Sequence, residues 1–591
     1  MKKTTYILPI LIAGASLFSC SDFLDRQPLS ELSPGSSFGS ENQLRQYTNS
    51  FYGLLPSGSD IYDERTDQII TTTFTDEQQG TRTVPVSGGG WDWGALRNIN
   101  FFLENYSRGG LSETITAPYV GLAKFFRAWF YFEKVARYGD VPWYSQALEA
   151  NDSTLLLKPR DSRMLIIDSV IADLDAAIAS LPASQSSDRI TRWTALALKS
   201  RVCLFEGTFR KYHANDDFGQ DSRGNALTGA EELLALSAAA AKELMDNSPY
   251  SLYVNDPESA YHELFIAPSP INTEIILART FSEDLQVVHN VNYYTVSPSY
   301  GKPGLEKGFV NSYLMRDGSR FTDQPGFATM QFYDEVQNRD PRLSGTIRTP
   351  GYTRVGSSVE LPPDLGATVT GYQLIKYVSD PSHDKINGSV VPLPIFRYAE
   401  VLLNYAEAKA ETGTITQEDL DATIGLLRTR AGMPSLDLAA ANANPDPYLA
   451  GRYPHVSGPN QGVILEIRRE RGIELVMEDF RWNDLMRWKA GQLLAQPFHG
   501  AYFPGPGSYD LDGDGAMDLV LFTGDRPPGN PDAQFLKLGS DITLENGADG
   551  GRVIVNANIA KTFREDRDYL YPIATQELLL NPNLVQNPNW E

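Results

Sequence analysis

Cysteine is almost missing from this chain of 591 residues: Cys20 and Cys203 are its only two. A pair of cysteines cannot build the disulfide framework on which small exported domains rely, so stability has to come from packing. Histidine is scarce as well. His213, His262, His289, His383, His455 and His499 are dispersed, without an H-E-x-x-H pattern, and no nucleophile elbow is recognisable. These absences argue against a zinc hydrolase or a serine hydrolase. A carboxylate pair suited to glycoside hydrolysis stays open as an alternative, because its required separation is spatial. Basic charge is also short. Lys and Arg total 51 against 74 Asp and Glu, a net charge of −23, and no basic stripe offers a phosphate-binding surface, which excludes nucleic acid as a partner.

The longest apolar stretch lies at the start, MKKTTYILPILIAGASLFSC, where Lys2 and Lys3 precede a run of about a dozen residues. That is short of the roughly 20 residues needed to span a bilayer and has the form of a secretory signal, residues 1–19. Leu17-Phe18-Ser19-Cys20 reads as a bacterial lipobox, so Cys20 is the expected acylation site, with two or three chains giving stable anchoring. Cys203, inside Val202-Cys203-Leu204-Phe205, reads as a core thiol. Residues 20–40 (SDFLDRQPLSELSPGSSFGS after the cysteine) form a turn-rich leader, and 41–591 a single large domain.

Within that domain the spacing of apolar residues predicts helices over 118–138, after Asp161 as N-cap, over 192–209 and over 230–246. Later pairs are predicted over 396–412 with 416–429, and over 464–479 with 481–491. Repeated helix pairs suggest a tetratricopeptide-like helical-repeat frame, about 41–250 and 391–495, without a strict 34-residue consensus. Between about 250 and 390, and again at 495–570, the helical period fades into loop-rich insertions with short strands, among them 274–278 and 372–378. The fold class is therefore mainly α.

Aromatic rings beside Asp, Asn and Arg are what recognition of a sugar requires. GGGWDWG at 88–94 offers Trp91 and Trp93 on one side of an extended loop, with Asp76, Glu77 and Arg82 just upstream. Tyr293, Tyr294 and Tyr300 form a second candidate, and Tyr372 and Arg397-Tyr398 a weaker one; Arg397 is placed to pair with Glu400. The Arg-Arg-Glu-Arg run 468–471 sits among Glu466, Glu470 and Glu474 and reads as an internal charge lattice. Asp510, Asp512, Asp514 and Asp518 follow D-x-D-G-D-G-x-x-D, a calcium-loop spacing with Gly515 at the turn; Leu521 in place of the twelfth-position Glu rules out a standard EF-hand and leaves a shorter structural calcium loop.

The order of further stretches carries a resemblance. CSDFLD at 20–25, residues 91–98, RAWFYFEKVARYGDVP, DLDAAIASLP, residues 193–207, RDPRL, RYAEVLLNYAEAKAETG, RTRAGMP, ERGIELVMEDFRWNDLMRW and YPIATQELLLNPNLVQNP run from end to end as they do in the SusD/RagB family of outer-membrane lipoproteins, which the chain resembles. The resemblance implies a lipid-anchored protein facing the cell exterior. Such a protein acts as the lid of a SusC-like TonB-dependent transporter, to which it delivers glycan, or in RagB-like members peptide, without cleaving it. It also implies that a tryptophan in the region of Trp91 and Trp93 stacks on sugar.

Overall fold

The computed structural model describes residues 38–149, 151–216 and 228–590; Cys20 and the leader up to residue 37 lie outside them. The amino-terminal half is built from α1 (Glu41–Asn49), α2 (Gly94–Asn105), α3 (Glu113–Tyr138), α4 (Arg163–Ser180), α5 (Arg192–Tyr212) and α6 (Ala230–Asn247). α3 packs along α4 and α5 along α6, as antiparallel repeat pairs do. Gly207 permits the second pairing: a Cβ there would meet Leu234 Cγ at 2.9 Å. Cys203, on α5, is fully buried.

Two helix starts differ from the expectation. α3 begins at Glu113, with Ser112 in the N-cap position, so Pro118 lies inside the helix and forfeits one backbone hydrogen bond. α4 is capped by Ser162, because the Asp161 carboxylate is taken by the Trp143 N–H at 2.7 Å and by Lys158 at 2.6 Å.

Strand β1 (Ile275–Arg279) pairs antiparallel with β2 (Leu393–Arg397), which feeds α7 (Tyr398–Glu411). The 416–429 segment is two short helices, Gln417–Asp421 and Ile424–Arg430, because Thr423 Oγ1 turns back to the Asp419 carbonyl at 2.6 Å and the backbone breaks there. α8 (Gln461–Glu474) ends earlier than its apolar period suggests. Met477 and Asp479 adopt left-handed backbone, φ 59° and 63°, before α9 (Arg481–Arg487). The 372–378 run forms isolated bridges, Gly304 to Gln373 and Ile347 to Leu374, rather than a strand. In the second insertion β3 (His499–Phe503) pairs antiparallel with β7 (Gly551–Ile554), while β4 (Gly507–Tyr509), β5 (Leu519–Phe522) and β6 (Gln534–Lys537) form a small mixed sheet.

One apolar core fills the helical frame; a second, including Tyr261, Phe265, Tyr313, Phe503 and Leu519, lies under the insertions. Buried ion pairs tie the parts together. Arg397 bonds Glu274 (2.9 Å), Glu474 (2.6 Å) and Glu478 (2.7 Å), whereas Glu400 pairs with Arg201 at 2.7 Å, which corrects the Arg397–Glu400 expectation. The expected charge lattice is present and mostly joins different elements: Arg469 meets Glu466 on the same helix, but Arg468 reaches Glu411, Arg471 reaches Asp484 and Glu470 takes Arg428. Burial alone would raise the Glu474 carboxyl; Arg430, Arg397 and Arg342 overcome it and hold the group well below the usual carboxylate range.

Candidate ligand groove

Gly88, Gly89 and Gly90 all take positive φ (73°, 64° and 93°), which folds their loop onto α3. There Arg137 Nε donates to the Gly89 carbonyl at 3.0 Å, Tyr138 Oη donates to the same carbonyl, and Lys134 Nζ donates to that of Gly90. The clamp sends the tryptophans inward. Trp91 is 8% exposed and meets Tyr138 edge-on at 4.9 Å. Trp93, half-buried, meets Tyr144 at 5.4 Å and Trp91 at 5.4 Å. Both rings do share one side, but that side is the core, so Trp91 is not an open sugar platform. Lys134 Nζ lies 5.6 Å from the Trp93 ring centre and 4.9 Å from that of Phe130, and burial holds its ammonium down to about 8.

The upstream polar candidates are also structural in their contacts. Arg82 is buried, 3.3 Å from the Asp568 carboxylate, with its guanidinium 4.5 Å from the Tyr571 ring centre. Glu77 accepts from Tyr571 Oη at 2.8 Å, and Asp76, exposed, accepts from Thr81 Oγ1 at 2.9 Å. Tyr294 is buried, stacked on Tyr62 at 3.8 Å, and Tyr372 is buried with its hydroxyl on Glu335 at 2.8 Å. Tyr293 and Tyr300 do come together, 5.5 Å apart, with Tyr300 41% exposed.

Beside the glycine clamp lies what the sequence reading missed. Two adjoining cavities of about 320 and 390 Å³ share Leu54, Arg65, Trp129, Glu133, Asp479 and Asn483. Their size suits a small ligand or a sugar unit. The loop of the predicted tryptophans supplies a wall through Gly90, Asp92 and Ala95, and Trp482 and Tyr571 line the first cavity. On α3, Trp129, Glu133 and Arg137 recur every four residues and so share a face. That face was legible as core, through Trp129; the polar residues on it were the available signal. The left-handed backbone at Asp479 turns its carboxylate toward Arg65, 3.2 Å away. Burial pushes Glu133 up to about 7, and the nearby Asp479 carboxylate adds to the shift; Asp479 is itself raised by burial against the pull of Arg65. The groove thus offers carboxyl groups, a guanidinium and an amide, a set matched to hydroxyls, over walls of buried aromatic side chains.

The acidic motif joins β4 to β5. Ligand atoms of Asp510, Asp512 and Asp514 lie within 4.8 Å of one another, and Gly515 has φ 90°. Asp518 does not join them; its carboxylate accepts from the Leu511 N–H at 2.7 Å. Asp512 is raised, first by burial and then by its acidic neighbours.

A family model described as the SusD family matches residues 273–590, more than half of the chain. The chain belongs to the SusD family. A second model, described as "Starch-binding associating with outer membrane", matches residues 22–204. Among curated proteins, one SusD-like protein of Formosa agariphila is 24% identical over 404 residues, 65% of this chain and 68% of that protein. Another from the same organism is 23% identical over 298 residues, 46% of this chain and only 50% of that protein. A solved SusD-like protein from Bacteroides fragilis superposes with TM-score 0.68 at 22% identity, covering 95% of this chain and 99% of the other. A SusD-like carbohydrate binding protein from Bacteroides fragilis does so with TM-score 0.68 at 21%, covering 93% and 100%. These likenesses establish the SusD fold. Among the described residues of this SusD-family chain, no helix is long and apolar enough to cross a membrane.

Proposed function

We propose that this SusD-family protein captures carbohydrate in the groove between α3 and the 479–483 turn and releases it uncleaved to a SusC-like TonB-dependent transporter, over which it acts as a lid. Lipid on Cys20 would hold it to the outer membrane, facing outward. The observation that carries the binding role is the convergence of Arg65, Glu133, Asp479 and Asn483, which line both cavities of one groove whose walls are closed by the buried Trp129 and Trp482. The starch-binding description of the amino-terminal family model supports carbohydrate as the ligand. Calorimetry against a polysaccharide panel tests it: Asn483→Ala should weaken the affinity about tenfold, as loss of one well-placed polar contact does, with no reducing sugar released. Unchanged affinity would remove the groove from consideration. The Asp510, Asp512 and Asp514 loop is proposed as a structural calcium site, its mutual carboxylate repulsion relieved by the cation.

A further inference from the structure

The short helix Thr575–Leu580 carries three leucines in a row, yet none of its residues is fully buried. Leu578 packs against the core, which leaves Leu579 and Leu580 79% and 65% exposed. Two other segments are tied to this helix. The Thr575 and Gln576 N–H groups donate to the Pro85 and Val86 carbonyls, each at 2.9 Å, so the exposed Val86 lies beside it. Past its end, Asn581 Nδ2 donates to the Lys158 carbonyl at 2.9 Å, Asn583 Nδ2 to that of Leu157 at 2.7 Å, and Arg160 Nη1 to that of Val585 at 2.8 Å. These bonds add Leu156, Leu157 and Val585, all exposed. Six of the 16 exposed large apolar residues among those described thus gather on segments held side by side, a clustering that marks an interaction surface rather than ordinary surface scatter.

Charge limits what can cover this face. The chain has 74 acidic residues, but no exposed residue of 83–88, 151–159 or 575–585 is charged; Asp152, Lys158 and Glu577 are half-buried. Elsewhere exposed apolar residues are mixed with charge, as Leu285 and Ile386 are with the Glu283–Lys385 pair. A second copy would bring another net −23 alongside, which repels, and a charged headgroup surface finds no counter-charge here. An uncharged, apolar protein surface fits. Position selects which protein. Val86 is four positions from Gly90, Thr575 is four from Tyr571, and Gly90 and Tyr571 both line the ligand groove. A partner that receives ligand from the groove has to close against its lip, and this face continues that lip.

We infer that the face formed by Val86, Leu156, Leu157, Leu579, Leu580 and Val585 is where the SusC-like transporter docks, through an uncharged apolar patch of its own. The identity of the partner rests on the delivery reading above; the location rests on the patch and its place beside the groove.

Surface plasmon resonance between the whole chain and the SusC-like transporter of the same cells, purified in detergent, tests the inference. Leu579→Glu combined with Leu580→Glu should weaken the affinity tenfold or more at unchanged melting temperature and unchanged polysaccharide affinity, whereas Leu285→Glu combined with Ile386→Glu should leave it unchanged. Should the first pair fail to fold, Val86→Glu should weaken docking in the same direction. Equal affinity in the folded variants overturns the face and leaves the delivery reading standing; no binding by the wild type rejects the delivery reading and the face with it. A wild-type dimer in sedimentation that the Leu579 and Leu580 substitutions dissolve, or binding to phosphatidylethanolamine–phosphatidylglycerol vesicles that they abolish, gives the face to a second copy or to lipid and overturns the assignment.

Discussion

Arg397 Nη1 lies 2.6 Å from Glu474 Oε1, although Glu400 stands only three residues away in its own chain segment. The longer connection joins β2 to α8, and Arg430 and Arg342 share the same carboxylate. Removing one member of a buried network leaves the others charged and unpaired. Glu474→Ala is expected to lower stability by about 3–5 kcal/mol, read from urea unfolding; a loss below 1 kcal/mol would mean that water replaces the carboxylate.

Trp91→Ala should act on stability rather than directly on ligand. The ring packs against Tyr138 and Trp93, and truncating a buried aromatic costs about 3–5 kcal/mol. Thermal melting and calorimetry on the same variant separate the two effects. A normal melting temperature with lost affinity would restore Trp91 as a binding ring.

Glu133 gives the groove a pH signature. Its folded-state value of about 7 lies above the ordinary 4.5, so the folded protein binds more protons in between, and stability from this group is full below 4.5 and lost as pH rises through 7. Glu133→Gln should flatten that fall. Parallel wild-type and variant curves of melting temperature against pH would contradict it.

Calcium should raise the melting temperature, since a ligand bound only by the folded state stabilises it. Asp512→Asn should abolish the increment. A melt indifferent to chelator in the wild type removes the Asp510 to Asp514 loop as a metal site.

Cys20→Ala should leave glycan affinity of the isolated chain unchanged and impair glycan uptake by cells. Normal uptake would refute the proposed tether.

The helices were legible wherever an apolar stripe met a strong stop, as at Tyr138 before Gly139. Their ends were less so. Asp161 and Thr423 carry side chains that bond elsewhere, and nothing local announces the left-handed turn at Asp479 that ends α8 early. For the site, glycine and tryptophan marked the right loop but the wrong surface: three contacts from α3 clamp Gly89 and Gly90 and turn the rings inward. The groove itself joins α3 to a turn more than 340 positions later, and local pattern carries no information about such a meeting.

Arg82 also sets a clock. Its carboxylate partner, Asp568, stands 486 positions downstream. At ~5–20 residues per second of synthesis, a growing chain would carry Arg82 without that partner for on the order of 25 to 100 seconds. The Arg82 site therefore stays incomplete until nearly the whole chain is made, and a product cut short before Asp568 leaves that guanidinium without its carboxylate.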